Sequence, residues 1–258
     1  MNKNIPALYK ESFIKAVINA NKEIYTYINT NISLKDYEYT NSTGFGGDNS
    51  LKIDIIAENI FIKYLEEFGN IYSEECGLKS SNKEFTIVID PIDGSNNFYS
   101  NLPYYGTSVA LQKDGITIAG FVTNLINAII TYRAFDDEVK HISLVTLEEK
   151  IFQEVKKTKL AIFERAYEYP EICQELSKNN IKFRSLGAVA LSLCDAKNYD
   201  FVLFCGNIRS FDIEAALYIC KDLCVYQRKN VLIISKYNVK LNLIKEIINE
   251  HLVITPDK

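Results

Sequence analysis

A β-branched run, Thr86-Ile-Val-Ile-Asp90, leads straight into Pro91. β-Branched side chains favour a pleated, buried strand, and proline lacks the N–H that a central ladder needs. The pattern predicts a short buried strand that ends at Pro91 and delivers Asp90 at its C-terminal end. The stretch continues as Asp90-Pro-Ile-Asp-Gly-Ser-Asn-Asn-Phe98, so a second carboxylate, Asp93, follows on a tight turn with Gly94 and Ser95. Two carboxylates on one turn make a concentrated patch of hard oxygen donors, which suits Mg²⁺ or Mn²⁺. Gly94 allows close backbone approach, and Ser95 is a candidate cap for a following helix. A helix start presents N–H groups to an anion. Metal ligands beside such a cradle point to metal-assisted phosphoryl chemistry.

Helical spacing places Phe13, Ile14, Val17, Ile18, Ile24, Tyr25 and Ile28 on one amphipathic helix over residues 10–29. Residues 41–50 hold Gly44, Gly46 and Gly47 and read as a loop. Asp48, Asn49 and Ser50 then offer caps for a second helix through about residue 68. Strands are expected at 106–113, 116–123 and 129–133, the first two joined by an Asp114–Gly115 hairpin turn. The second half alternates strands (160–163, around 183, 199–204, 231–235) with helices (170–179, 188–196, 212–222, 238–251). That alternation argues α/β. A loose segment over 135–157 is the expected boundary between an N-terminal metal-binding subdomain, 1–135, and a C-terminal subdomain, 136–258, that completes the site.

Composition narrows the chemistry. Twenty-nine Lys and Arg against 33 Asp and Glu leave the 258-residue chain at −4. That balance gives no footprint for nucleic acid or an anionic membrane, and no apolar run reaches a membrane span. No signal peptide is evident at the N-terminus, so a cytoplasmic protein is expected. The six cysteines form no CxxC pair, and His141 and His251 are the only histidines. A zinc site and a histidine-centred triad are therefore disfavoured, and the chemistry has to rest on carboxylates and hydroxyls.

Three further elements accompany the Asp-Pro turn. Ser73-Glu-Glu-Cys-Gly77 lies just upstream, Asp54 and Glu58 stand four apart on one helix face, and Asp212 opens the helix after Phe211. Together these ordered motifs resemble the inositol monophosphatase-like family, in particular its archaeal branch acting on inositol monophosphate and fructose 1,6-bisphosphate. The family pattern Asp-Pro-[Ile/Leu]-Asp-Gly-[Thr/Ser]-x-Asn-Phe is met from Asp90 to Phe98. The likeness covers residues 44–133 best and 184–218 fairly. It implies a layered αβαβα sandwich and a homodimer.

The same resemblance implies a ligand set. Glu74, Asp90 and the carbonyl of Ile92 would hold one Mg²⁺, and Asp90, Asp93 and Asp212 a second. A weaker third ion would lie near Glu74 and Asp54, with Mn²⁺ as a substitute for Mg²⁺. Ser95, where the family usually has Thr, would work with Asp54 on the attacking water. Gly94, Ser95 and Asp93 would face the phosphate. Arg184, Gly187, Val189 and Arg209 would face the rest of a small phosphorylated sugar or inositol. Asp93 is expected to be an exposed ligand. Two departures bear on the substrate: Ala188 replaces a family serine, and Cys205 replaces an arginine of the archaeal Arg-Gly-x-x-Arg element while Arg209 is kept. The Gly-x-Gly-Ala turn after Arg133 and the Glu-Ala-Gly-Gly element, here Lys221-Asp-Leu-Cys-Val, are missing. The alternatives are a 3′-phosphoadenosine 5′-phosphate phosphatase and a non-catalytic scaffold that keeps the fold.

Overall fold

The computed structural model describes residues 5–153 and 158–251. The chain begins with α1 (Ala7–Thr30), a ribbon of β1 (Tyr39–Thr43) and β2 (Asn49–Leu51), and α2 (Lys52–Leu65). A first sheet follows: β3 (Asn70–Ser73), β4 (Gly77–Lys79), β5 (Phe85–Asp93), β6 (Gly106–Lys113), β7 (Ile116–Asn124), β8 (Ile129–Ala134) and β9 (Lys140–Ser143), with the short helix α3 (Ser95–Tyr99) after β5. A second sheet holds β10 (Leu160–Glu164), β11 (Lys182–Arg184), β12 (Val202–Cys205), β13 (Cys224–Arg228) and β14 (Val231–Ser235). Between its strands run α4 (Pro170–Lys178), α5 (Val189–Cys194) and α6 (Ser210–Ile219), and α7 (Asn238–His251) comes last.

The first sheet is ordered β4-β3-β5-β6-β7-β8-β9, and the second β11-β10-β12-β14-β13. Strand alternation sorts the side chains into three cores. Ile87 and Ile89 of β5 join α1 and α2 residues such as Phe13, Val17 and Phe61. Val88, between them, faces the other way, with Leu193 of α5 and Ala216 of α6. Val202 and Phe204 of β12 enter that same middle core, whereas Leu203 and Cys205 face Leu176 of α4 and Ile244 of α7. The layers are therefore α1/α2, first sheet, α5/α6, second sheet, α4/α7, the αβαβα sandwich expected. No helix among the described residues is long and apolar enough to cross a membrane.

The α1 helix, the hairpin through Asp114 (φ 52) and Gly115 (φ 75), and the alternation of the second half are where the pattern puts them. Three expectations need correction. Residues 41–50 are not simply a loop, because Tyr39 and Thr43 pair with Leu51 and Asn49. The cap of α2 is not Asp48, Asn49 or Ser50; its own Asp54 reaches back to accept the Leu51 N–H at 2.8 Å. Strand β5 does not stop at Pro91. Asp90 pairs with Ser108 and Asp93 with Gly106, so one extra residue is accommodated on β5 as a bulge, a place where proline is tolerated.

One close approach seats α6 against the first sheet. A Cβ on Gly120 of β7 would stand 2.3 Å from the Ala215 carbonyl oxygen. Only a glycine lets the helix that carries Asp212 lie so near the strand.

Candidate active site

The bulge in β5 turns Asp90, Ile92 and Asp93 toward one end of the sheet. Gly94 follows in the left-handed region (φ 86), and its carbonyl accepts the Asn97 and Phe98 N–H groups that start α3. Ser95 is thus the first residue of α3 and not its cap. Its hydroxyl instead lies 2.9 Å from both Asp54 Oδ1 and the Ile92 carbonyl oxygen. Asp54 therefore works twice, capping α2 with one oxygen and meeting Ser95 with the other.

Glu74 leaves β3 with its N–H donated to the Ile89 carbonyl, which ties it to the strand carrying Asp90. Glu58 supports that loop by accepting the Cys76 N–H at 3.0 Å. Asp212 lies in the first turn of α6. These elements converge so that single oxygens of Glu74, Asp90 and Asp212 lie within 4.8 Å of one another. Asp90 Oδ1 is buried with no hydrogen-bond partner. A buried carboxylate oxygen without a partner is costly, and the clustered oxygens of these three acids are the donor set of a divalent cation. The residues fit a metal.

Asp93 is buried, 5% exposed, and does not stand out as an exposed ligand. Its Oδ2 accepts the Leu191 N–H at 3.0 Å, at the start of α5. Electrostatics at this end of the sheet are severe. Burial, then repulsion from Glu74, Asp93 and Asp212, pushes the Asp90 carboxyl well above its ordinary value. Burial likewise pushes Asp93 up to about 8, and Glu74 and Asp54 up to about 7. Asp212 is raised by burial, against the opposing pull of Arg209. Five acids held this way bind a dianionic ligand only when cations are supplied.

Arg209 partly supplies that charge. It pairs with Asp212, Glu74 and Asp48. The acids and Arg209 line a cavity of about 330 Å³. Ile92, Gly94, Ser95, Gly187 and Val189 line it too. Of the residues expected from sequence, Arg184 alone stays outside. It lies at the exposed edge strand β11 and donates to the neighbouring Phe183 carbonyl. Cys205 is fully buried in the outer core between the second sheet and α4/α7, so its position offers no surface for a ligand.

Sequence reasoning missed several residues. Glu75, Asp48, Tyr39 and Asn96 line the cavity. Glu164, 1% exposed, accepts the Gly187 N–H at 2.9 Å and the Ser192 hydroxyl at 2.5 Å, fixing the loop before α5. An acid closing the apolar strand 160–164 was the available signal. A second recess adjoins the first, about 560 Å³, and adds Arg165, Tyr167 and Asn207. The Arg165 guanidinium lies over Gly206, where a Cβ would meet Nη1 at 2.7 Å.

A family model described as the inositol monophosphatase family matches residues 10–223. The chain is 30% identical over 209 residues to a fructose-1,6-bisphosphatase/inositol-1-monophosphatase of Methanocaldococcus jannaschii, covering 79% of this chain and 81% of that protein. It is 43% identical over 74 residues to a bifunctional NADP phosphatase/NAD kinase of the same organism, covering 27% of this chain and 13% of that one. Among solved structures, an inositol monophosphatase-fructose 1,6-bisphosphatase superposes with a TM-score of 0.75 at 24% identity, over 91% of this chain and 99% of that one. An inositol monophosphatase of Thermotoga maritima gives 0.74 at 20% identity, over 93% and 99%. At those identities the structural likeness speaks for the fold alone.

Proposed function

The chain belongs to the inositol monophosphatase family and is a phosphatase, and on that premise we propose that it is a Mg²⁺-dependent phosphomonoesterase acting on inositol monophosphate and fructose 1,6-bisphosphate. The observation that carries the proposal is the trio Glu74, Asp90 and Asp212, with its ligand oxygens within 4.8 Å and Asp90 Oδ1 unpartnered. In this reading Glu74, Asp90, the Ile92 carbonyl, Asp93 and Asp212 hold two Mg²⁺ ions, and Asp54 a third, with Mn²⁺ as substitute. Bound there, the ions supply positive charge to the phosphoryl oxygens and make water acidic.

The chain's own residues do the rest. Ser95 orients the attacking water, with its hydroxyl 2.9 Å from Asp54 Oδ1. Asp54, which accepts from that hydroxyl, is placed to take the water's proton. Gly94 and Ser95 cradle the phosphate, Gly187 and Val189 face the alcohol, and Arg209 swings from the acids to a distal phosphate. Arg165, in the adjoining recess with Arg209, offers a second guanidinium. A bisphosphate wants two such cations, and Arg209 and Arg165, the latter now paired with Glu168, would supply them, since residue 205 is buried away from the cavity.

In the same reading residues 1–135 and 136–258 are two subdomains that each supply ligands to one site, with β9 of the second span completing the first sheet, and the protein acts as a cytoplasmic homodimer with no nucleic-acid or membrane partner. The test is phosphate release from inositol 1-phosphate, fructose 1,6-bisphosphate, 3′-phosphoadenosine 5′-phosphate and NADP, with Mg²⁺ and after its removal. Mg²⁺-dependent release from the first two, ahead of the nucleotides, is expected. NADP belongs in the set because of the partial likeness to NADP phosphatases, and its preference over the first two overturns the substrate assignment. Release from none, with Mg²⁺ bound, makes the chain a binding protein.

A further inference from the structure

Away from the acidic cavity, charge interrupts the face of the first sheet that packs on α5 and α6. Thr131 and Arg133 lie two apart on β8, so both point to that face. His141 on β9 stands directly opposite Thr131. Lys197 comes in from the short 3-10 turn Ala196–Asn198 after α5. Two recesses meet between these elements. The smaller, about 100 Å³, is walled by Arg133, Val139, Cys220 and Asp222. The larger, about 350 Å³, is walled by His141, Leu191, Asp195 and Asn198. Thr131, Cys194 and Lys197 belong to both, so the two are neighbours.

Arg133 is 8% exposed. One of its nitrogens, Nη2, pairs with Asp222. Its Nε and Nη1 are buried and have no hydrogen-bond partner. Lys197 has no carboxylate within 4.0 Å among the described residues, and its Nζ lies 3.4 Å from His141 Nε2. Burial, with help from Lys197, pushes His141 down to about 4. The imidazole is therefore neutral at pH 7 and accepts from Lys197, while Nδ1, 2.8 Å from Thr131 Oγ1, carries the proton. Two acids stand nearby: Asp222, mostly solvent-exposed, pairs with Arg133 Nη2 and is held below its ordinary value by it, and Asp195, raised by burial, feels the opposing pull of Lys197.

Buried guanidinium donors are normally satisfied, and each one that is not asks for a partner. We infer that the paired recesses form a second ligand site that takes a small oxyanion, seated between Arg133 Nε and Nη1 and Lys197 Nζ. The oxyanion is free phosphate or the phosphate head of a small metabolite, whose body would occupy the larger recess against Leu191. The site shares no wall residue with the acidic cavity, and it does not depend on the phosphatase assignment.

The test is calorimetric titration of the full chain with inorganic phosphate and with glycerol 3-phosphate, after divalent ions are removed on a chelating resin. Without those ions the acidic cavity repels phosphate, so binding reports the second site. One phosphate per chain is expected, weakened about tenfold or more in Lys197→Met and further in Arg133→Met, the loss of one charge-assisted hydrogen bond in the first and of two in the second. Thermal melts check that both variants fold, and phosphate should raise the melting temperature of the native chain but of neither variant. If Arg133→Met fails to fold, Lys197→Met decides. Tighter binding of glycerol 3-phosphate assigns the larger recess to the ligand's body, and weaker binding assigns the site to free phosphate; either supports an oxyanion site. No binding, or binding unchanged in both variants, overturns the inference and leaves the recesses to water.

Discussion

Arg209 closes a two-pronged fork on Asp212, with Nε 2.9 Å from Oδ2 and Nη2 3.0 Å from Oδ1. Its third nitrogen, Nη1, reaches Glu74 Oε1 at 2.6 Å. The guanidinium thus holds two of the three acids whose oxygens cluster, and a divalent ion has to compete with it for them.

From this follows an expectation about Arg209→Met. With the fork gone the acids face one another unneutralised, and the metal-free protein loses roughly 1–3 kcal/mol. Mg²⁺ or Mn²⁺ no longer displaces a cation, so calorimetry should show tighter metal binding, by about tenfold. The KM for fructose 1,6-bisphosphate should rise more than that for inositol 1-phosphate. Weaker metal binding in the variant would mean that Arg209 helps to build the site and does not compete for it.

The acids also set a pH dependence. Asp54 and Glu74 are pushed up to about 7 and Asp93 to about 8, each chiefly by burial, whereas the unfolded chain titrates near the ordinary carboxylate value. The native state therefore binds more protons than the unfolded state between those limits. The stability these groups contribute is complete below the ordinary value and is lost as pH rises through 7 to 8, by up to about 1.4 kcal/mol per pH unit for each group. Melting of the metal-free protein should fall steadily from pH 5 to 8.5, and saturating Mg²⁺ should flatten the curve. A metal-free melting temperature that climbs over that range contradicts the burial argument.

Asp93→Asn separates chemistry from folding. The amide oxygen can still accept the Leu191 N–H that Asp93 Oδ2 accepts at 3.0 Å, and an acid that burial pushes up to about 8 is replaced by a neutral amide. Turnover should disappear, while the metal-free protein melts at the same temperature or slightly higher. Wild-type turnover in the variant would remove Asp93 from the ligand set.

Ser95 and Asp54 should act as a unit. Ser95→Ala deletes the hydroxyl that lies 2.9 Å from Asp54 Oδ1 and should lower kcat about a hundredfold, the order expected for general base catalysis. Ser95→Thr keeps the hydroxyl and should keep most of the rate. Asp54→Asn removes the base itself and should lower kcat at least as far. Equal rates for the alanine and threonine variants would assign the water's orientation elsewhere.

Most of the acids that meet in this cavity were legible because they sit at places that leave a mark on sequence. Asp90 and Asp93 follow a β-branched run, Asp212 opens a helix, and Asp54 stands in the first turn of another. Local pattern reported those positions well. It failed where long-range geometry decides. Pro91 does read as a strand stop, and only the register with β6 shows the bulge that carries β5 on to Asp93. Arg184 and Arg209 look alike in sequence as basic residues near glycine. One sits on an exposed edge strand and donates to its own neighbour, whereas the other reaches Glu74, 135 residues earlier in the chain. Glu164 and Arg165 were missed for the same reason. Cys205 was weighed as a lost cation, but its alternation on β12 points it into the outer core.

The last prediction tests how the fold holds the site. Gly120 lies on β7 where the backbone of α6 comes closest, and a Cβ there would stand 2.3 Å from the Ala215 carbonyl oxygen and 2.9 Å from its Cα. Both neighbours are backbone atoms, so no side-chain rotation relieves the clash. Gly120→Ala has to push α6 away from the sheet, and overpacking of this kind costs roughly 1–3 kcal/mol. The same helix carries Asp212 in its first turn, with Arg209 just before it. The shift therefore moves one ligand of the metal trio away from Asp90 and Glu74, which ride on the first sheet. Gly120→Ala should lower the melting temperature and also weaken Mg²⁺ binding, although residue 120 does not line the acidic cavity. A destabilised variant with unchanged metal affinity would show that α6 slides along its own axis or relaxes locally at Ala215, leaving the trio intact.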